Sequence, residues 1–166
     1  MNEAHIHLLL THLPVVGTLL GLLILTYALL AKKTEALTIA SGVFVLSGLA
    51  AVAVYLTGEA AEEVVEGLPG ISHAIIERHE EAALVALVAA VVLGLVSLGS
   101  LFLSRRGVPR WLAGATLILA LVASGIMAWT ANLGGQINHP EIRSDQVATQ
   151  AGGEQPSRSY EEEEKE

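Results

Sequence analysis

The stretch IHLLLTHLPVVGTLLGLLILTYALLA, residues 6–31, decides the architecture. It contains no Asp, Glu, Lys or Arg. It also exceeds the roughly 20 residues that cross ~30 Å of hydrocarbon as a helix. Three more stretches of the same kind follow at residues 36–56, 82–103 and 111–133. Lipid offers a backbone no hydrogen-bonding partners, so runs of this kind are expected to be helical. The connections at 32–35 and 104–110 are so short that the helices they join must be antiparallel neighbours. The expected fold is all-α: an integral membrane four-helix up-down-up-down bundle.

Composition agrees and excludes other classes. Hydrophobic residues make up 52% of the 166, charged residues 16%, and the mean hydropathy is +0.57, too apolar for an ordinary soluble domain. With no cysteine, thiolate zinc sites, Cys-held iron–sulfur clusters, disulfides and covalently attached haem are ruled out. A net charge of −8 and the lack of a basic patch argue against nucleic acid as a partner. The opening MNEAHIH lacks the basic start of a secretion signal, so no cleaved leader is expected.

Charge sets the orientation. Lys32, Lys33, Arg105, Arg106 and Arg110 sit in or beside the two short connections, which hold only one of the 17 acids, Glu35. By the positive-inside rule these connections face the cytoplasm. Both termini and the 58–79 loop then lie outside a multi-pass inner (cytoplasmic) membrane protein, in the periplasm of a Gram-negative source. Glu59, Glu62, Glu63 and Glu66 read as a short outer amphipathic helix ended by Gly67-Leu68-Pro69-Gly70. Residues 1–143 form the transmembrane domain, and 144–166 a polar acidic tail expected to be disordered. Gly17-x-x-x-Gly21 and the stripe Ala120, Ser124, Ala128, Asn132 mark close approach, either of helices or of a flat cofactor. The first is compatible with a homodimer.

All six histidines, His5, His7, His12, His73, His79 and His139, fall at the outer side of this topology. Counting from the inner boundary at ~1.5 Å per residue places His12 at the outer hydrocarbon edge and His79 about one turn above it. His139 follows the fourth helix after Gly134-Gly135, so the three are expected to share one layer. His79 has Ile75, Ile76, Ala82, Ala83 and Ala86 as helical neighbours and points into the bundle. His12 has Leu8, Leu9, Val15, Val16 and Leu19 around it and shares its face with His5, whereas His7 is turned away by about 140°. His73 faces Glu77 and Glu80. Pro14 either kinks the first helix beside His12 or starts a helix there, leaving His5 and His7 on a separate segment.

Two imidazoles from different helices at one depth can ligate a haem iron axially, with apolar helices as the slot. His12 and His79 are the expected pair. His139 is a further candidate for binding the cofactor, as a second ligand or as a hydrogen-bond partner. His5, His7 and His139 are the lesser candidates for metal ligation. The alternative is a non-haem metal site, Zn or Fe, drawing on Glu80, Glu81 and Glu141, or an accessory structural subunit without haem. Copper(I) finds only Met127 as a thioether near that end.

The stretch His7-Leu8-Leu9-Leu10-Thr11-His12-Leu13-Pro14 resembles the opening of an uncharacterised bacterial four-helix membrane-protein family, whose first helix begins H-P-x-x-V-H-F-P-I. Leu8 stands where that family has proline. Thr57-Gly58-Glu59-Ala60, Leu68-Pro69-Gly70, Ile76-Glu77-Arg78-His79-Glu80 and Gly134-Gly135-Gln136-Ile137-Asn138-His139-Pro140-Glu141 are similar to a related set of small bacterial membrane proteins. Members of the broader family are sometimes fused to Rieske or cytochrome c domains, which implies respiratory electron transfer. The function expected is therefore a haem-b-binding electron-transfer subunit, with haem at the outer end. Its expected partners are the lipid bilayer, a quinone, and a periplasmic cytochrome or respiratory complex.

Overall fold

The computed structural model describes residues 2–104 and 107–143. Arg105 and Arg106, used above for orientation, and the acidic tail at 144–166 lie outside the described residues. Five α-helices follow in order: α1 Glu3–Ala31, α2 Thr34–Leu56, α3 Gly58–Val65, α4 His73–Leu103 and α5 Arg110–Asn138. A 3-10 turn at Pro140–Ile142 completes the described chain. Among the described residues there is no strand. Helices α1, α2, α4 and α5 are each long and apolar enough to cross a membrane. The chain is an all-α, multi-pass membrane bundle.

The helices pack in the cyclic order α1, α2, α4, α5, with α5 closing the ring against α1. Helices α1 and α4 therefore stand on one diagonal. Between α1 and α2 the chain reverses within two residues. Lys32 adopts the left-handed conformation (φ 54°), and the Lys33 N–H reaches back to the Ala28 carbonyl at 2.9 Å. That bond satisfies a carbonyl that the end of α1 would otherwise leave bare. Helix α3 follows at the end of the bundle where α1 begins and packs mainly on α1. It ends just before the Gly67–Gly70 turn, as the glutamate pattern predicts.

The bundle is apolar outside and finely packed inside. Its outward side chains include Leu30, Leu56, Phe102 and Trp111, all exposed for contact with lipid. Its interior is mostly Ala, Gly, Ser and Thr, with Leu25, Phe44 and Leu93 as the largest buried side chains. In lipid, burial of large apolar groups gives helices no advantage over their contact with acyl chains. Close backbone approach does. Gly48 shows this: a Cβ there would come within 3.0 Å of the Ala90 carbonyl oxygen. The interior hydroxyls of Thr18, Ser41, Ser47, Ser100 and Thr116 donate to carbonyls of their own helices.

Three expectations change in this frame. Helix α1 runs unbroken through Pro14, so His5 and His7 sit on the same helix as His12. Asn2 caps it, its side-chain oxygen accepting from the His5 N–H at 3.0 Å. The Gly17-x-x-x-Gly21 motif packs within the chain, on Ser47 and the Phe44 ring of α2. It therefore gives no ground for a homodimer. On α5, Ala120 and Ser124 face inward, but Ala128 and Asn132 are exposed. The inward face runs instead through Ala123, Met127 and Thr130, because the 4-residue step drifts around a 3.6-residue helix.

A methyl group at Gly21 would lie 2.5 Å from Cε1 of the fully buried Phe44. Gly21→Ala should therefore destabilise the bundle by about 1–3 kcal/mol in reversible unfolding from detergent micelles. Gly42→Ala, which meets nothing within 4 Å, should leave stability unchanged or slightly raised.

Candidate functional site at the mouth of the bundle

The buried side of α1 is Pro14, Thr18, Gly21, Leu25 and Ala28, a repeat of steps of four and three. Carried back toward the N-terminus of α1, the repeat passes through His7. That imidazole is half-buried at the mouth of the bundle, below the start of α3. Its Nδ1 lies 3.0 Å from the Thr57 hydroxyl oxygen, at the junction of α2 and α3. Its Cε1 is 3.8 Å from where a Cβ would stand on Gly58.

His79 faces it from α4. Its stripe continues inward through Ala82, Ala86 and Ala90, all buried. The Nδ1 of His79 is 3.1 Å from the Thr130 carbonyl oxygen of α5, and the Thr130 hydroxyl donates back to the Ala82 carbonyl at 3.2 Å. The ring rests on Gly134, where a Cβ would come within 3.0 Å of Cε1. Any larger residue at 134 would push the imidazole out of place. The two rings project from diagonal helices and are near enough to interact electrostatically.

The remaining histidines are elsewhere. His12, one of the expected ligand pair, is exposed on the outward face of α1, and its Nδ1 pairs with the Leu8 carbonyl at 2.8 Å. His5 is exposed on the same side. His139 ends α5 and turns to Glu141, Nδ1 to Oε1 at 2.8 Å. His73 is exposed, 3.6 Å from a Glu66 carboxylate oxygen. The expected layer of His12, His79 and His139 is thus not assembled. The structure brings together His79 and His7. Among the described residues no three His, Asp or Glu side chains are grouped so as to hold a metal ion. Glu80 and Glu81 are exposed on α4.

Arg143 is the other group that its sequence position does not reveal. Its side chain is buried beside the end of α5. Its Nε donates to the Gln136 carbonyl at 2.9 Å, and its Nη2 to the carbonyls of Ile137 (3.0 Å) and Gly70 (3.2 Å). It thus closes the C-terminal carbonyls of α5 and ties the loop before α4 to that end of the helix. The nearby Glu141 carboxyl is held below the usual carboxylate range, first by its own backbone N–H and then by His139.

Glu62 on α3 and Glu80 on α4 bring two acids close together. The Glu80 carboxyl raises the Glu62 pKa above the ordinary value, and partial burial adds to the shift. Two neighbouring carboxyls avoid repulsion only when one keeps its proton. The raised folded-state pKa means the contact contributes its stability below the ordinary carboxylate pKa. That stability is lost as pH rises through the raised value. Amides of α3, corrected for intrinsic exchange, should therefore be better protected from hydrogen exchange in mild acid than at neutral pH. Glu62→Gln should flatten that dependence. Comparisons with protein-family models, with curated proteins and with solved structures gave no match.

Proposed function

We propose that the outer mouth binds a b-type haem between His7 and His79, and that the protein is a membrane electron-transfer subunit. The observation that carries this is the disposition of the two imidazoles. They stand on diagonal helices at the same end of the bundle, near enough to interact electrostatically, and each has its Nδ1 engaged by an oxygen of the chain. A carbonyl cannot donate, so His79 carries its proton on Nδ1 and presents a bare Nε2. Ligating histidines are oriented in this way by the hydrogen bond at their other nitrogen. His7 replaces His12 as the partner of His79, since His12 faces outward.

The donor set also separates haem from the alternative. A porphyrin supplies four nitrogens, so two protein ligands are enough. A zinc or non-haem iron site requires three or more protein donors, which the mouth does not gather among the described residues. When bound, haem would supply one-electron exchange between its ferric and ferrous states. The chain's own part is to fix both imidazoles, through the Thr57 hydroxyl and the Thr130 carbonyl. The resemblance of the opening to a family fused with Rieske or cytochrome c domains supports the electron-carrying role. A quinol in the outer leaflet and a soluble cytochrome or respiratory complex are the partners that suit such a site. The outward position of the mouth in the inner membrane follows from Lys32, Lys33 and Arg110 at the opposite end.

Protein purified with ample haem supply should show sharp low-spin α and β bands on reduction. His7→Ala and His79→Ala should each abolish them, while His12→Ala, His5→Ala and His73→Ala should leave them intact. A colourless wild-type protein, or full low-spin haem in both His7→Ala and His79→Ala, would refute the assignment. A reporter fused after Glu166 should be active only on the outer side of the membrane. Cytoplasmic activity would reverse the orientation.

A further inference from the structure

We infer that Thr57 is a positioning residue for His7: its hydroxyl holds that imidazole as the Nδ1–H tautomer, with Nε2 bare and aimed into the mouth. The inference extends the haem reading but stands on proton bookkeeping alone. A threonine hydroxyl has one proton to donate and two lone pairs to accept with. The Thr57 Oγ1 donates to the Val54 carbonyl at 2.8 Å, in the last turn of α2. Its proton is therefore engaged. At the 3.0 Å contact with His7 Nδ1, Thr57 can only accept, so the imidazole must donate.

The position of Thr57 makes this a fixed arrangement. It is at once the residue that ends α2 and the one that precedes α3. Its N–H bonds the Val54 carbonyl at 3.1 Å, and its own carbonyl accepts from the Ala61 N–H at 3.2 Å. Both ends of the residue are thus held, and the hydroxyl has little freedom to turn. Gly58, next in sequence, leaves room for the His7 ring against the backbone. The two imidazoles then match: His79 is oriented by a backbone carbonyl that no substitution removes, His7 by a hydroxyl that one substitution does.

The test is made on the haem-free protein, full chain, with nitrogen-15-labelled histidine in lipid nanodiscs at a pH where the rings are neutral. His7, assigned by comparison with His7→Ala, should show a pyrrole-like Nδ1 and a pyridine-like Nε2. Thr57→Val should exchange the characters of the two resonances, since imidazole free of this partner favours the Nε2–H form. Thr57→Ser should keep the wild-type pattern and shows that any change reports the hydroxyl and not misfolding. An Nε2–H form in the wild type would overturn the inference, as would an unchanged Nδ1–H form in Thr57→Val. In the haem-loaded protein, Thr57→Val should weaken haem retention by about 10–100-fold. A wild type with the expected tautomer but no affinity for haem would refute the cofactor reading and leave the positioning role standing.

Discussion

Inside a bilayer, an apolar side chain gains nothing by leaving lipid for protein, and this governs the whole molecule. Helices there are held by close backbone approach and by polar groups that have no water to fall back on. The interior of this bundle is accordingly built from small and hydroxyl-bearing residues. Gly21 receives the Phe44 ring, Gly17 receives Ser47, and Gly48 meets the backbone of α4. Leucine and valine, which would fill the core of a soluble bundle, mostly cover the outside. Among the described residues the largest fully buried side chains are Phe44, Leu25 and Leu93, which share one cluster.

The same rule explains what could be read from the sequence and what could not. Helix number, span positions and antiparallel order depend on length, hydropathy and loop size, all of them explicit in the chain. The short α3 was legible from Glu59, Glu62, Glu63 and the turn after them. The facing of α1 was misread because an apolar surround was taken to mean inward. That rule holds in water and reverses in lipid: the leucines and valines around His12 are its lipid contacts. The inward stripe is Pro14, Thr18, Gly21, Leu25 and Ala28, and one heptad above Pro14 stands His7. His79 was placed correctly because its neighbours Ala82 and Ala86 are small as well as apolar. The usable signal was small size at steps of four and three.

Other features had no signal at all. Arg143 is held by three carbonyls, and a carbonyl leaves no trace in residue identity. Its placement nevertheless joins the far end of α5 to Gly70, 73 positions earlier in the chain. The continuity of α1 through Pro14 is also invisible locally. Proline removes one donor and crowds the preceding turn, at a cost of ~3 kcal/mol in an isolated helix. Here Pro14 is buried against neighbouring helices, and the Thr18 hydroxyl donates to its carbonyl at 2.6 Å. Tertiary packing keeps helical what propensity would break.

Depth decides why the paired imidazoles stand at the mouth and not lower. Deeper in the bundle space beside the backbone is scarce: at Gly48 and Gly94 even a methyl group would touch the facing helix, and the apolar Phe44 ring fits only because Gly21 faces it. The polar groups that survive there are mostly hydroxyls donating to carbonyls of their own helix, which demand no partner across the interface. An imidazole carries a donor and an acceptor on opposite sides of a ring, and its own helix cannot serve both. At the mouth α2 ends and α3 begins, so backbone from outside the four spans joins the bundle. Thr57 and Thr130 then meet the Nδ1 atoms from neighbouring helices, and Gly58 and Gly134 leave room for the rings. The mouth is where the bundle has both space for an imidazole and oxygen atoms from a second helix to engage it.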